Sequence, residues 1–333
     1  MTENRMTLKH GPHANGWLVT LLLTALLMCA GAVCAQGTEA NSPAALRAKY
    51  GALQDRLKNN PFQKPLHLDS SEAPGGVSGN IYALVSYPFA TVASTLNSPG
   101  NWCDVLLLHL NTKYCRPSNA GQGDVLNVSI GKKYDQPVND AHRVVFAYHV
   151  AAQTPDYLSV RLNADKGPLS TQDYRIVFEA VPLDSGQTFI HLSYSYAFGT
   201  PGRLAMQAYL GTVGRDKVGF TLAGTQAGGQ RNYIGGMRGL VERNTMRYYL
   251  AIEAFLGAAG SSPPARFEKS SRDWFAATER YPRQLHEMEQ DEYLQMKRKE
   301  YARQQAGAQA RNEIRGRQQM LLAALLYYRQ HPY

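Results

Sequence analysis

The residues best placed to do chemistry in this chain are a set of histidines and tyrosines in strand-like or helical segments. His109, His142, His149 and His191 sit on or near such segments. His149 and His191 are read as facing a common interior, where an imidazole orients a polar head group or acts as a general acid or base. The competing reading of each is an ordinary hydrogen-bonded histidine. The chain has 20 tyrosines, and Tyr148, Tyr157, Tyr174, Tyr194, Tyr196, Tyr248 and Tyr249 fall in regular segments. Tyrosine rings line an apolar hollow and keep a hydroxyl for a ligand, although β-propensity alone also enriches them in strands. The candidate ligand-binding set is Tyr148, His149, His191, Tyr194, Tyr196, Asn244 and Tyr248. Arg161 and Arg175 also lie in strands, but alternation puts Arg161 on the other face from Leu158, Val160 and Leu162, toward solvent.

Recognisable catalytic and metal patterns are missing from the sequence. There is no G-x-S-x-G for a nucleophilic serine, and no H-E-x-x-H or EF-hand pattern for a metal. Asp156, Asp165, Asp173 and Asp184 occupy turn-like positions, where carboxylates bond local backbone. Gly228-Gly229 and Gly235-Gly236 lack the lysine and the preceding buried strand of a phosphate loop. No catalytic residue, metal or cofactor is therefore expected.

The N-terminus reads as an export signal over residues 1–35. Arg5 and Lys9 are basic, Trp17 to Val33 is apolar, and Val33-Cys34-Ala35 offers small residues for cleavage before Gln36. The alternatives are an uncleaved anchor, for which the run is slightly short of the roughly 20 apolar residues needed, and lipidation at Cys34. Export to the periplasm leaves two cysteines, Cys103 and Cys115, and an oxidising compartment invites a disulfide between them. Closing so short a loop stabilises by about 3 kcal/mol. Two buried free thiols are the alternative. The net charge is +9. A basic surface attracts polyanions or anionic lipid, and export argues against nucleic acid.

The elements that must hold these residues follow from periodicity. Ser42-Pro43 opens a helix with Leu46, Leu53 and Leu57 at helical spacing, ending before Asn59-Asn60-Pro61. Residues 64–98 hold an extended stretch, a break at Gly75-Gly76, a strand over Asn80 to Ser86 and a helix from Pro88. A second helical stretch runs from Trp102 to Leu110. Asp124–Lys133, Arg143–Ala151, Tyr157–Ala164, Asp173–Val181 and Thr188–Phe198 alternate with period two and form an antiparallel meander. Residues 201–213 read as a helix, 217–222 as a further strand, and 223–230 as a Gly-rich loop. A long helix spans Tyr233 to Leu256, with Met237, Leu240, Val241, Asn244, Tyr248, Ile252 and Phe255 on one face and Arg238, Glu242, Tyr249 and Glu253 on another. Glu287 to Gln319 is helical but lacks a wide apolar stripe, so it is expected to pack on little or to pair with another chain. Met320 to Tyr328 is apolar again.

This order of strand, two short helices, antiparallel strands and one long helix resembles the helix-grip fold of the START-related and Bet v 1-like superfamily. The residues that carry it are Asn80–Ser86 with Pro88–Leu110, the strands from Asp124 to Phe198, and the helix Tyr233–Leu256. The resemblance implies an α+β fold, a curved antiparallel sheet wrapped on a long C-terminal helix. Residues 201–230 depart from the simple pattern and would lengthen the mouth of the cavity. The expected organisation is 1–35 signal peptide, 36–63 N-terminal helical segment, 64–260 helix-grip ligand-binding domain and 261–333 charged helical C-terminal extension.

A curved sheet closed by one helix leaves a hollow that the helix does not fill. The leading expectation is a periplasmic binding or transfer protein whose partner is an apolar small molecule or lipid. One rival is a cavity enzyme, cyclase- or hydrolase-like, using histidine or tyrosine. The other is an envelope protein that meets a membrane or protein partner through residues 266–333.

Overall fold

The computed structural model describes residues 42–119, 121, 123–184, 186–212, 214–225 and 231–330, with most side chains over 310–330 outside the description. The expected signal segment, 1–35, lies outside the described residues, as do 226–230 of the Gly-rich loop and the side chains of Met320 to Tyr328.

Helix α1 runs from Pro43 to Lys58, and the Ser42 hydroxyl accepts from the Ala45 N–H at 3.2 Å as its cap. Strands β1 (Leu66–Ala73) and β2 (Gly76–Val85) form a hairpin, and α2 (Phe89–Leu96) and α3 (Pro99–Leu107) follow. Six strands come next: β3 (Thr112–Asn119), β4 (Asp124–Ile130), β5 (His142–Thr154), β6 (Tyr157–Lys166), β7 (Thr171–Pro182) and β8 (Thr188–Phe198). They join β1 and β2 in one sheet of order β1-β2-β8-β7-β6-β5-β4-β3, with every pair antiparallel. Register shifts between β3 and β4, β5 and β6, and β7 and β8 mark places where bulges bend the strands. Helix α4 (Thr200–Gly211) and the short pair β9 (Leu222–Thr225) and β10 (Arg231–Tyr233) lead to the long helix α5 (Gly236–Leu256). Helices α6 (Pro263–Thr278), α7 (Pro282–Leu285) and α8 (Gln290–Gln330) complete the chain.

Strand alternation builds two cores. Ile81, Leu126, Val128, Phe146, Leu158, Val160, Leu162, Ile190 and Leu192 share the inner face, which α2, α3 and α5 cover in part, and form the main one. Gly79 permits the close approach of α5 to β2, because a Cβ there would run into the Thr245 side chain. On the other face, Tyr82, Tyr157, Val181 and Phe189 pack against Leu46, Leu53 and Leu57 of α1. The sheet is thus buried on both sides around its β1-β2-β8-β7 end.

Two of the long helices are covered more fully than their sequences suggest. Helix α5 has no solvent face at Glu242 and Tyr249, which are both buried. Its outer side is covered by α6, whose Trp274 indole donates to the Arg247 carbonyl at 3.0 Å. Glu242 is paired in full: it accepts from Ser70 Oγ, Thr221 Oγ1 and the Phe220 N–H, each at 2.6 Å, and from the Thr221 N–H at 3.0 Å.

The first half of α8 also packs, rather than standing free. Tyr293, Leu294, Met296, Lys297, Glu300 and Gln304 are buried at helical spacing. Its stripe is polar, so hydrophobicity alone does not reveal it. Glu300 accepts from Lys113 of β3 at 3.0 Å and from Lys297 at 2.7 Å, and all three side chains are wholly buried. Gln304 takes the free Cys115 N–H of the edge strand at 3.3 Å and donates to Asp104 at 2.8 Å. Cys115 is itself bonded to Cys103 of α3, with the two Cα atoms 5.1 Å apart. The exposed edge that β3 would present is covered by the helix.

Candidate functional site

Between the inner face of the sheet, α4 and α5 lies a cavity of about 670 Å³. That is within the range of about 300–1,000 Å³ typical of small-molecule sites. Strands place its floor by alternation: Phe146 from β5, Thr171 and Tyr174 from β7, Tyr194 and Tyr196 from β8. Helix α5 supplies Leu240, Arg243, Asn244, Arg247 and Tyr248, which share one stripe because they recur at i, i+3, i+4, i+7 and i+8. Met206 and Tyr209 of α4 close one wall, so the segment between the last meander strand and the long helix does contribute to the cavity.

Of the seven residues singled out in the sequence, Tyr194, Tyr196, Asn244 and Tyr248 are brought together here. Tyr148 points to the same side of the sheet, but into the packed core rather than the cavity. His149 and His191 are corrections, and period two explains both. Tyr148 and Val150 point inward, so His149 points out, where it is exposed opposite Arg161. Ile190 and Leu192 point inward, so His191 also lies on the outer face. It bonds Glu179 at 2.8 Å and Asn80 at 3.0 Å and stacks on Tyr82 at 4.3 Å.

The histidine that does line the cavity is His109, just after α3. Its Nδ1 accepts from the Asn111 N–H at 3.2 Å, which places the proton on Nε2. Burial, together with the nearby charges of Arg247, Lys297 and Lys133, holds its pKa well below the usual value, so the ring is neutral.

Sequence reasoning missed the two arginines. Arg243 and Arg247 are 2% and 1% exposed. Burial, with Arg247 adding repulsion, lowers the Arg243 pKa to about 10. Glu287 serves three cations at once: Arg247 at 2.7 Å, Lys133 at 2.5 Å and Lys217 at 3.4 Å. Burial works to raise the Glu287 carboxyl, but Arg247, Lys133 and Lys217 outweigh it and hold the pKa below the usual value. Lys133, lowered by burial and by Arg247 against the pull of Glu287, sits at about 8.

A second hollow of about 550 Å³ opens by Phe62, Phe220 and Tyr281, with Arg231, Arg280 and Arg283 around it. It lies off the inner face of the sheet, and three arginines and two glutamines share its lining with the rings. The sheet cavity is the better candidate, because there a strand floor and a helix roof converge on apolar rings.

Fold and site together define an α+β protein of helix-grip architecture with an internal apolar cavity. A scan against protein-family models and a search of curated proteins return no match. Among solved structures, the chain is similar to a conserved protein from Geobacillus kaustophilus at 13% identity, over 54% of this chain and 95% of that one, with a TM-score of 0.31. It is also similar to norcoclaurine synthase from Thalictrum flavum, at 13% identity over 45% and 80%, TM-score 0.29. Human StAR-related lipid transfer protein 5 matches at 12% identity over 47% and 78%, TM-score 0.26.

Proposed function

We propose that this chain is an exported, periplasmic binding or transfer protein for an apolar ligand such as a lipid. The observation that carries the reading is the cavity of about 670 Å³, with Phe146, Tyr174, Met206 and Leu240 in its lining. An apolar guest leaving water there gains about 25 cal/mol per Å² buried, which gives affinity without covalent chemistry. Of the side chains considered for a cavity enzyme, His149 and His191 lie on the opposite face of the sheet from the cavity.

The test has two arms. Native mass spectrometry of protein purified without organic solvent is expected to reveal a retained small molecule. Nile red, a neutral apolar probe, is expected to enter the wild-type cavity and to be largely excluded by Met206→Trp, which fills it. A chain that retains nothing and takes up no probe defeats the reading. For export, N-terminal sequencing of the protein recovered from a periplasmic extract is expected to begin at Gln36; an intact N-terminus in the cytoplasmic fraction counts against it.

A further inference from the structure

The polar atoms that line the cavity are unevenly matched. Arg243 spends one guanidinium N–H on the Val218 carbonyl at 3.2 Å and has no carboxylate within salt-bridge distance among the described residues. Arg247 reaches Glu287, but its Nε–H is buried without a partner. The Tyr196 hydroxyl is buried without a partner too. His109 Nε2–H has only the Asn244 amide beside it. These are donors, and two belong to full cations.

Charge is equally one-sided. Arg243, Arg247, Lys133 and Lys217 gather around one acid, Glu287. The carboxylate among the cavity-lining residues, Asp140, is exposed to solvent. A buried guanidinium without a counter-charge is costly, and so is a buried donor without an acceptor. Both costs are offset if the guest brings a negative, acceptor-rich group to Arg243. Arginine's planar fork suits a carboxylate or phosphate held by two parallel bonds.

Building on the cavity reading above, we infer that the occupant is an amphiphile with an anionic head, a carboxylate or a phosphate, seated at Arg243 with Tyr196 beside it. Its apolar portion lies against Ile130, Phe146, Met206 and Leu240. Arg247 is a weaker contact because Glu287 already neutralises it, so Arg243 sets the preference.

Calorimetric titration of the wild-type protein with a fatty acid, the fatty alcohol of the same chain length, and a lysophosphatidate tests this without any variant. The fatty acid or the lysophosphatidate is expected to bind about 10- to 100-fold more tightly than the alcohol, as expected for a hydrogen-bonded charge. Whichever anion binds better identifies the head as carboxylate or phosphate. Arg243→Gln is expected to erase that difference. Tyr196→Phe, a milder change, is expected to reduce anion binding several-fold. Equal affinity for acid, alcohol and phosphate overturns the head-group inference but leaves the apolar cavity standing. Binding of none of them removes the cavity reading, and this inference with it.

Discussion

Replacing Glu300 by Gln should undo the docking of the C-terminal helix. The carboxylate bridges Lys113 at 3.0 Å and Lys297 at 2.7 Å, all wholly buried. The variant leaves two buried ammonium groups facing each other with only carbonyls and the Met296 sulfur to bond. Removing one partner of a buried ion cluster costs about 3–5 kcal/mol. For a chain this long that corresponds to a midpoint lowered by about 6–10 °C. The assay is thermal and urea unfolding followed by tryptophan fluorescence, because the Trp274 ring stacks on Tyr293 of α8 at 5.0 Å and reports its release. The deficit should also depend on pH. Burial, opposed by Glu300 and aided by Lys113, already lowers Lys297 to about 8. Without Glu300 the folded-state pKa falls further, while the unfolded value stays near 10.5. The folded variant then sheds its proton at a pH where the unfolded chain keeps it. Its deficit is therefore largest near pH 6 and shrinks toward pH 9. A variant within about 1 kcal/mol of wild type at pH 6 would show that water reaches the cluster and that the latch does not exist.

Three further perturbations are expected to act separately. Asp104 is raised to about 6, chiefly by burial against the opposing effects of Arg266 and Gln304, so the stability it contributes is present below pH 4 and lost as pH rises through 6, on the order of 3 kcal/mol; Asp104→Asn should flatten that part of a stability–pH curve. Replacing Cys103 and Cys115 together by Ser should cost about 3 kcal/mol in urea unfolding, and a wild type indifferent to reductant would deny the bond. Leu53→Ala should cost about 2–5 kcal/mol and speed hydrogen exchange in α1 while leaving Nile red uptake unchanged, since α1 lies on the face away from the cavity; reduced uptake would mean the two faces are coupled.

Much of the sheet was legible because period two is a strong signal wherever one face is buried. It located the meander from Asp124 to Phe198 and, applied strictly, would have turned His149 and His191 outward as well. The edge strands were harder to read. Leu66–Ala73 ends in polar residues, and Thr112–Asn119 carries Lys113, Arg116 and Pro117, which an edge strand accommodates. Lys113 is buried only because Glu300 meets it from 187 residues away, a pairing no local pattern contains. The arginines of the cavity did leave a trace: Leu240, Arg243, Asn244, Arg247 and Tyr248 share one helical stripe. The sequence pattern reveals that stripe through Leu240, Asn244 and Tyr248 but not through its arginines, since arginine on an amphipathic helix ordinarily marks solvent.

The tail and the cavity are connected through α5. An eight-stranded sheet is wider than one helix can cover, and α5 lies over β1, β2 and β8. Helices α2 and α3 fill part of the remainder, and the uncovered part between β4 and β8 is the cavity. With α6 packed on its outer side, α5 has no solvent face on which to place charge. Arg243 and Arg247 must then be satisfied from within. Glu287, just ahead of α8, satisfies one of them; nothing among the described residues does so for the other. The docked tail therefore does more than add surface. Through Glu287, which pairs with Arg247 and Lys133 of the cavity lining, it sets the charge that an anionic guest would meet. Undocking α8 by Glu300→Gln should accordingly change the affinity of anionic amphiphiles more than that of neutral ones, and an equal change in both would separate the tail from the head-group site.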